Sequence, residues 1–164
     1  DQKNHELLIR SAADVIKEHS ETVFVILGEG FLREKLQSLI SELNLGKNIL
    51  LPGFVEDVRP AMIAADLFVL SSRNEGMARV LIEALACGKA VVTTDVSGSR
   101  TCVLDGENGF VGPSEDQQAL SEAIGSVLND AALKTSMGRR SRELAEANFT
   151  TESMLMKSAE VLMA

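Results

Sequence analysis

The chain has 164 residues, of which 45% are apolar and 24% charged, and its formal net charge is −8. That length supports one domain with a real core, and no apolar run approaches the ~18 residues of a membrane-spanning helix. The negative charge argues against a broad electrostatic grip on nucleic acid or anionic lipid, so a bound phosphate is expected to be held locally, by a few cations and by backbone N–H groups.

In chain order, Asn4 to Glu18 predicts a helix, with Leu7, Leu8, Ala12, Val15 and Ile16 on one stripe. Val23 to Leu27 is a solid apolar run ending at Gly28, which predicts a strand buried on both faces. Leu32 to Leu43 is helical by spacing, and Ile49-Leu50-Leu51 predicts a short strand stopped by Pro52-Gly53. Asp57 to Ala65 reads as a short helix and Leu67 to Leu70 as the next strand. Ala78 to Cys87 predicts a helix closed by Gly88. Ala90 to Thr94 and Gly109 to Val111 are expected strands, and three helices are expected near 115–129, 131–147 and 151–163.

Strand and helix alternate up to residue 94 with short loops between them, which predicts a doubly wound α/β domain with a parallel sheet. Ligands in such sheets collect at the carboxyl ends of the strands, so the loops after Leu27, Leu51, Leu70 and Thr94 are the ones of interest. Cys87 and Cys102 have no metal-like spacing and lie far from His5 and His19. Free thiols in a reducing cytoplasm are the expectation, and no metal site.

The stretch from Ser71 to Ala84 carries the chemistry. It begins at the carboxyl end of a predicted strand and runs into the next helix. Gly76 allows close backbone approach to a ligand, and the first-turn N–H groups of that helix are unpaired donors with positive dipole character. A diphosphate fits there without a metal. From Val80 to Cys87 the helix is apolar on nearly every side, so it is expected to be buried, with Glu83 its lone acid. A buried carboxylate needs donors, and vicinal hydroxyls suit it because it accepts from two O–H groups at once. Glu75 could serve a second set of hydroxyls. The alternatives are an ordinary helix ion pair between Arg79 and Glu83 and a Glu75 that merely caps or decorates its loop. Arg73 and Arg100 could touch phosphate or simply be solvated.

Glu75 and Glu83, separated by seven residues, the first followed by Gly and the second by Ala, resemble the signature of retaining glycosyltransferases of the GT-B fold, glycosyltransferase family four (group 1) in particular. The resemblance extends through Lys3-Asn4-His5-Glu6-Leu7-Leu8-Ile9, Leu27-Gly28-Glu29-Gly30, Leu51-Pro52-Gly53-Phe54-Val55, Ala64-Ala65-Asp66, Ala86 to Val92 and Asp105 to Gly109, in the family's order and spacing. It implies a Rossmann-like donor-binding domain over 1–164, with C-terminal helices from about 115. It further implies Glu83 on the ribose hydroxyls, Glu75 on hydroxyls of the transferred sugar, and backbone N–H groups of Gly76 and Met77 toward the sugar. The N–H groups of Ala78, Arg79 and Val80 would then face the phosphates, Lys3 would neutralise the diphosphate leaving group, and Phe54 and Val55 would seat the base. Gly28 is a weaker candidate, because Gly-x-Gly after a strand is often only a tight turn.

The resemblance also implies a nucleotide-diphospho-sugar substrate, UDP- or GDP-linked, with no cofactor or metal. The acceptor, a sugar or lipid-linked glycan, would bind an amino-terminal domain absent from this sequence, which would also carry any membrane association. A first strand ending in Gly-Arg is expected before residue 1, so the strands at 22–27 and 67–70 should flank a gap rather than pair. Two features depart from the family: Ser97 and Thr101 stand where a glycine and an acid are common, and Met77-Ala78-Arg79 replaces a commoner Phe-Gly-aliphatic run. A sugar-nucleotide epimerase and a non-catalytic nucleotide-sugar sensor are the alternative functions.

Overall fold

The computed structural model describes residues 2–76, 78–153 and 155. Its elements run α1 (His5–Glu18), β1 (Phe24–Leu27), α2 (Arg33–Glu42), β2 (Ile49–Gly53), α3 (Arg59–Ala64) and β3 (Leu67–Leu70), then α4 (Arg79–Ala86), β4 (Ala90–Thr94), α5 (Ser99–Cys102), β5 (Gly109–Gly112), α6 (Gln117–Asn129) and α7 (Ala131–Asn148). Every ladder is parallel, as the alternation of strand and helix requires. The expected helix at 151–163 falls mostly outside the described residues.

The strands form two pieces, β1–β2 and β3–β4–β5. Among the described residues no ladder joins β1 to β3, which matches the expected gap. Both strands line a cavity of about 1420 Å³ that runs from Glu18–Thr22 at their amino ends to Gly28 and Ser71 at their carboxyl ends. The strand β1 is therefore not buried on both faces as its apolar run predicted. Val23 and Val25 are each 51% exposed, while Ile26 is buried. One face of β1 packs on α1 and α2 through Phe24 and Ile26, while Val25 on the other is half exposed.

The β3–β4–β5 sheet is covered on both faces. Val91 points into a cluster with Leu81 and Leu85 of α4, Cys102 of α5 and Ala145 of α7. Its neighbours Ala90 and Val92 point the other way, onto Leu7 and Val15 of α1 and Leu120, Ile124 and Val127 of α6. Period-two alternation of side chains makes both faces of β4 core, and all five of its residues are buried. A Cβ at Gly109 would sit 1.9 Å from the Val91 carbonyl oxygen, so only glycine lets β5 lie against β4 there.

Two local differences have simple causes. The strand β2 continues through Pro52 to Gly53 instead of stopping at Leu51, because its ladder runs to β1 alone and a missing N–H is tolerated on the outer edge of a sheet. The four-residue α5 was not foreseen. It starts from Gly98 at φ 79°, and a single turn leaves no measurable 3.6-residue period.

Candidate functional site

The loop after β3 is held from both sides. On one side, the chain start docks on it: Arg73 N–H donates to the Gln2 carbonyl (2.8 Å), Gln2 Nε2 donates to the Asn74 carbonyl (2.9 Å), and Ser71 Oγ donates to the Lys3 carbonyl (3.0 Å). On the other side, Thr94 Oγ1 at the end of β4 donates to the Ser72 carbonyl (2.6 Å). Asn4 adopts the left-handed conformation (φ 49°, ψ 46°) just before α1, and its carbonyl accepts the Leu7 and Leu8 N–H groups. These contacts fix Lys3 beside the loop.

The consequence is an ion pair. Lys3 Nζ lies 2.7 Å from Glu75 Oε1, with the lysine 49% exposed and the glutamate only 7%. Ser72 Oγ donates to the same oxygen at 2.6 Å. Burial pushes the Glu75 carboxyl up, but the Lys3 hydrogen bond, the Ser72 hydroxyl and the lysine charge together hold it below the ordinary carboxylate range. Glu75 is therefore a buried carboxylate held in an ion pair, and Lys3 is not a freely solvated lysine. His5, two residues after Lys3, is held below the usual histidine range by burial and then by the Lys3 charge.

Glu83 corrects the sequence reading. It is exposed, not buried. The helix α4 spans only Arg79–Ala86 and buries Leu81, Ala84 and Leu85. The positions half a turn away, Arg79, Glu83 and Ala86, face solvent. Apolar composition hid this, because Ala86 on the outer stripe is small and apolar. Among the described residues Arg79 and Glu83 form no ion pair, so the i,i+4 alternative falls away. Glu83 and Val80 line the carboxyl-end mouth of the inter-strand cavity together with Lys3 and Gly28.

The remaining candidates divide. Ala78 is the buried N-cap residue of α4, and Arg79 and Val80, in its first turn, have no carbonyl one turn back to receive their N–H groups. Gly76 is exposed with open space where a Cβ would be. Met77 lies outside the described residues. Gly28 has φ 121° and its N–H donates to the Gly53 carbonyl at 2.8 Å, a bond between neighbouring strand ends that ties the loop after β1 to the end of β2. Phe54 is 77% exposed and Val55 half-buried, both beyond the cavity lining, on the neighbouring strand's carboxyl end. Arg73 and Arg100 are engaged with protein carboxylates, Arg73 with Glu115 and Arg100 with Asp95. Sequence reasoning missed Ser72, whose signal was only a hydroxyl three residues before Glu75. Among the described residues no three His, Cys, Asp or Glu side chains converge as a metal site would require.

Residues 1–144 match the model of the glycosyl transferases group 1 family. The chain belongs to that family. This group 1 domain is 37% identical over 146 residues to the N-acetylgalactosamine-N,N'-diacetylbacillosaminyl-diphospho-undecaprenol 4-alpha-N-acetylgalactosaminyltransferase of Campylobacter jejuni, covering 88% of this chain and 39% of that enzyme. Its fold superposes on S. aureus TarM in complex with fondaparinux, alpha-GlcNAc-glycerol and UDP, with a TM-score of 0.92 at 27% identity, over 100% of this chain and 34% of that one. Anabaena HepE in complex with UDP-glucose matches with a TM-score of 0.89 at 26% identity, over 99% of this chain and 45% of that one. The group 1 domain thus spans less than half the length of each of these three proteins. No described helix is long and apolar enough to cross a membrane.

Proposed function

We propose that this domain binds the donor of a retaining glycosyltransferase of family four, a hexose linked to UDP or GDP, for transfer to an acceptor hydroxyl in cell-surface polysaccharide or glycolipid synthesis. The observation that carries the reading is the buried, charged Glu75, held by Lys3 at the carboxyl end of β3 immediately before α4. Glu83 stands exposed two turns later and, with Lys3, lines the cavity between β1 and β3. The UDP and UDP-glucose complexes of the solved relatives support a sugar nucleotide as ligand.

In this account Glu83 accepts the ribose hydroxyls and Glu75 those of the transferred sugar, while the Gly76 and Met77 N–H groups face that sugar. The diphosphate lies against the α4 amino terminus, on the Ala78, Arg79 and Val80 N–H groups. Gly28 lets the first loop approach, and Phe54 and Val55 border the base. Transfer breaks the bond from the anomeric carbon to the phosphate oxygen, and the electron pair leaves with the diphosphate. The acceptor oxygen bonds to that carbon from the same face, and its proton passes to the departing phosphate. Lys3 leaves Glu75 and compensates the charge that grows on the leaving group, where a preorganised cation is worth most. No metal or cofactor is invoked, because Lys3 and the helix N–H groups supply the positive field. The acceptor, and any membrane contact, would belong to a further domain, and the reaction to the cytoplasm.

The test is product analysis with the full-length protein, UDP-glucose, UDP-N-acetylglucosamine and GDP-mannose, with sugar and lipid-linked acceptors. The expected product keeps the donor's anomeric configuration by proton NMR. An epimerised sugar nucleotide formed without acceptor, or no turnover with any pair, contradicts the reading.

A further inference from the structure

The ion pair of Glu75 poses a difficulty for donor binding. Both of its short bonds, from Lys3 Nζ and from Ser72 Oγ, fall on Oε1, so Oε2 takes neither. If Lys3 turns to a diphosphate, a carboxylate only 7% exposed loses its cation and must keep its charge by other means. A half-exposed lysine on a flexible stem can make that move. Ser72 cannot: it is fully buried, its carbonyl is pinned by Thr94 Oγ1 at 2.6 Å, and it directly follows Ser71, whose hydroxyl is bonded to the Lys3 and Asn4 carbonyls.

We propose that Ser72 is a positioning residue: its hydroxyl holds Glu75 Oε1 throughout, so that the carboxylate stays ionised and presents Oε2 to the hydroxyls of the transferred sugar after Lys3 has moved to the diphosphate. The inference rests on the donor-binding reading above. A hydroxyl has one proton to give, and here it is directed along a fixed 2.6 Å line to the carboxylate. Buried Thr94, at the end of β4, completes the support from the neighbouring strand.

The experiment compares Ser72→Ala and Ser72→Thr with the wild type in the full-length protein. Calorimetry is run with UDP, UDP-glucose, UDP-N-acetylglucosamine, GDP and GDP-mannose. In parallel the Glu75 carboxyl is titrated without ligand by carbon-13 NMR, its signal assigned by its loss in Glu75→Gln. Ser72→Ala is expected to weaken the intact sugar nucleotide about tenfold or more, to leave the bare nucleotide within about twofold, and to raise the Glu75 titration midpoint. Ser72→Thr, which keeps the hydroxyl, is expected to restore both, whereas a merely structural role would lower bare-nucleotide binding equally. An unmoved Glu75 midpoint, equal losses for both ligands, or undiminished sugar-nucleotide affinity in Ser72→Ala overturns the proposal. If the wild type binds none of the five probes, the donor-binding reading itself fails and the positioning role falls with it, even where the titration shows that Ser72 still tunes Glu75.

Discussion

Lys3 and Glu75, 72 positions apart in the chain, meet at 2.7 Å, and the buried carboxylate is charged because the half-exposed lysine and Ser72 outweigh its burial. The pH dependence follows from the sign of the shift. The Glu75 folded value lies below its ordinary 4.5, so its contribution to stability is fully present above that value and is lost as pH falls through the folded value. Lys3→Met is therefore expected to be less stable than wild type at neutral pH, with the deficit shrinking once Glu75 is protonated in both. Denaturant melts between pH 7 and pH 3 check this. A deficit constant across that range would mean that the lysine acts through packing alone.

Glu83 faces solvent on the stripe of Arg79 and Ala86. Glu83→Gln should leave stability within about 0.5 kcal/mol of wild type, as surface changes usually do. It should weaken UDP or GDP binding by roughly 1.5–3 kcal/mol, the worth of a charge-assisted bond. Melting and calorimetry on the same variant read the two effects separately. Loss of stability with intact nucleotide binding would place the residue in the scaffold instead.

Two mid-helix glycines should respond in opposite directions. A Cβ at Gly125 in α6 meets nothing within 4 Å, whereas one at Gly138 in α7 would lie 2.4 Å from the Gly88 carbonyl oxygen. Gly125→Ala is expected to stabilise by about 0.5–1 kcal/mol through helix propensity. Gly138→Ala is expected to destabilise by about 1–3 kcal/mol, because α7 must back away from the turn between α4 and β4. Thermal melts of both variants decide it, and stabilisation by both would refute that close approach.

With Lys3 and the N–H groups at the start of α4 as the diphosphate's partners, sugar-nucleotide affinity should not depend on a divalent ion. Titrations with and without a chelator are expected to agree within about twofold. A large loss on chelation would show that the phosphates are held through a metal.

Much of this was legible beforehand, for definite reasons. Leu67–Leu70 and Ala90–Thr94 appear at their predicted bounds because each is a short, largely apolar run between helices, the pattern that a parallel sheet lying between helical layers produces. The run Val23–Leu27 has the same composition, yet Val23 and Val25 stand half exposed, since exposure depends on which neighbours lie over a strand. Apolar content misleads at Glu83, because an almost wholly apolar α4 predicts burial all round, while the facing direction is set by the helical spacing of Leu81, Ala84 and Leu85. The spacing of Glu75 and Glu83 pointed to both carboxylates. The role of Ser72 and the meeting of Lys3 with Glu75 were hidden, because each depends on side-chain directions and on the docking of Gln2–Asn4 across the loop after β3.

The central claim, that Glu75 reads the transferred sugar, is tested most directly by calorimetry of Glu75→Ala in the full-length protein with an intact sugar nucleotide and with its bare nucleotide. The account predicts that the variant loses about 1.5–3 kcal/mol toward UDP-glucose, UDP-N-acetylglucosamine or GDP-mannose, whichever the wild type binds. Binding of the matching UDP or GDP should stay within about twofold, because that ligand has no sugar for Glu75 to hold. Equal losses toward both ligands, or none toward either, would contradict it.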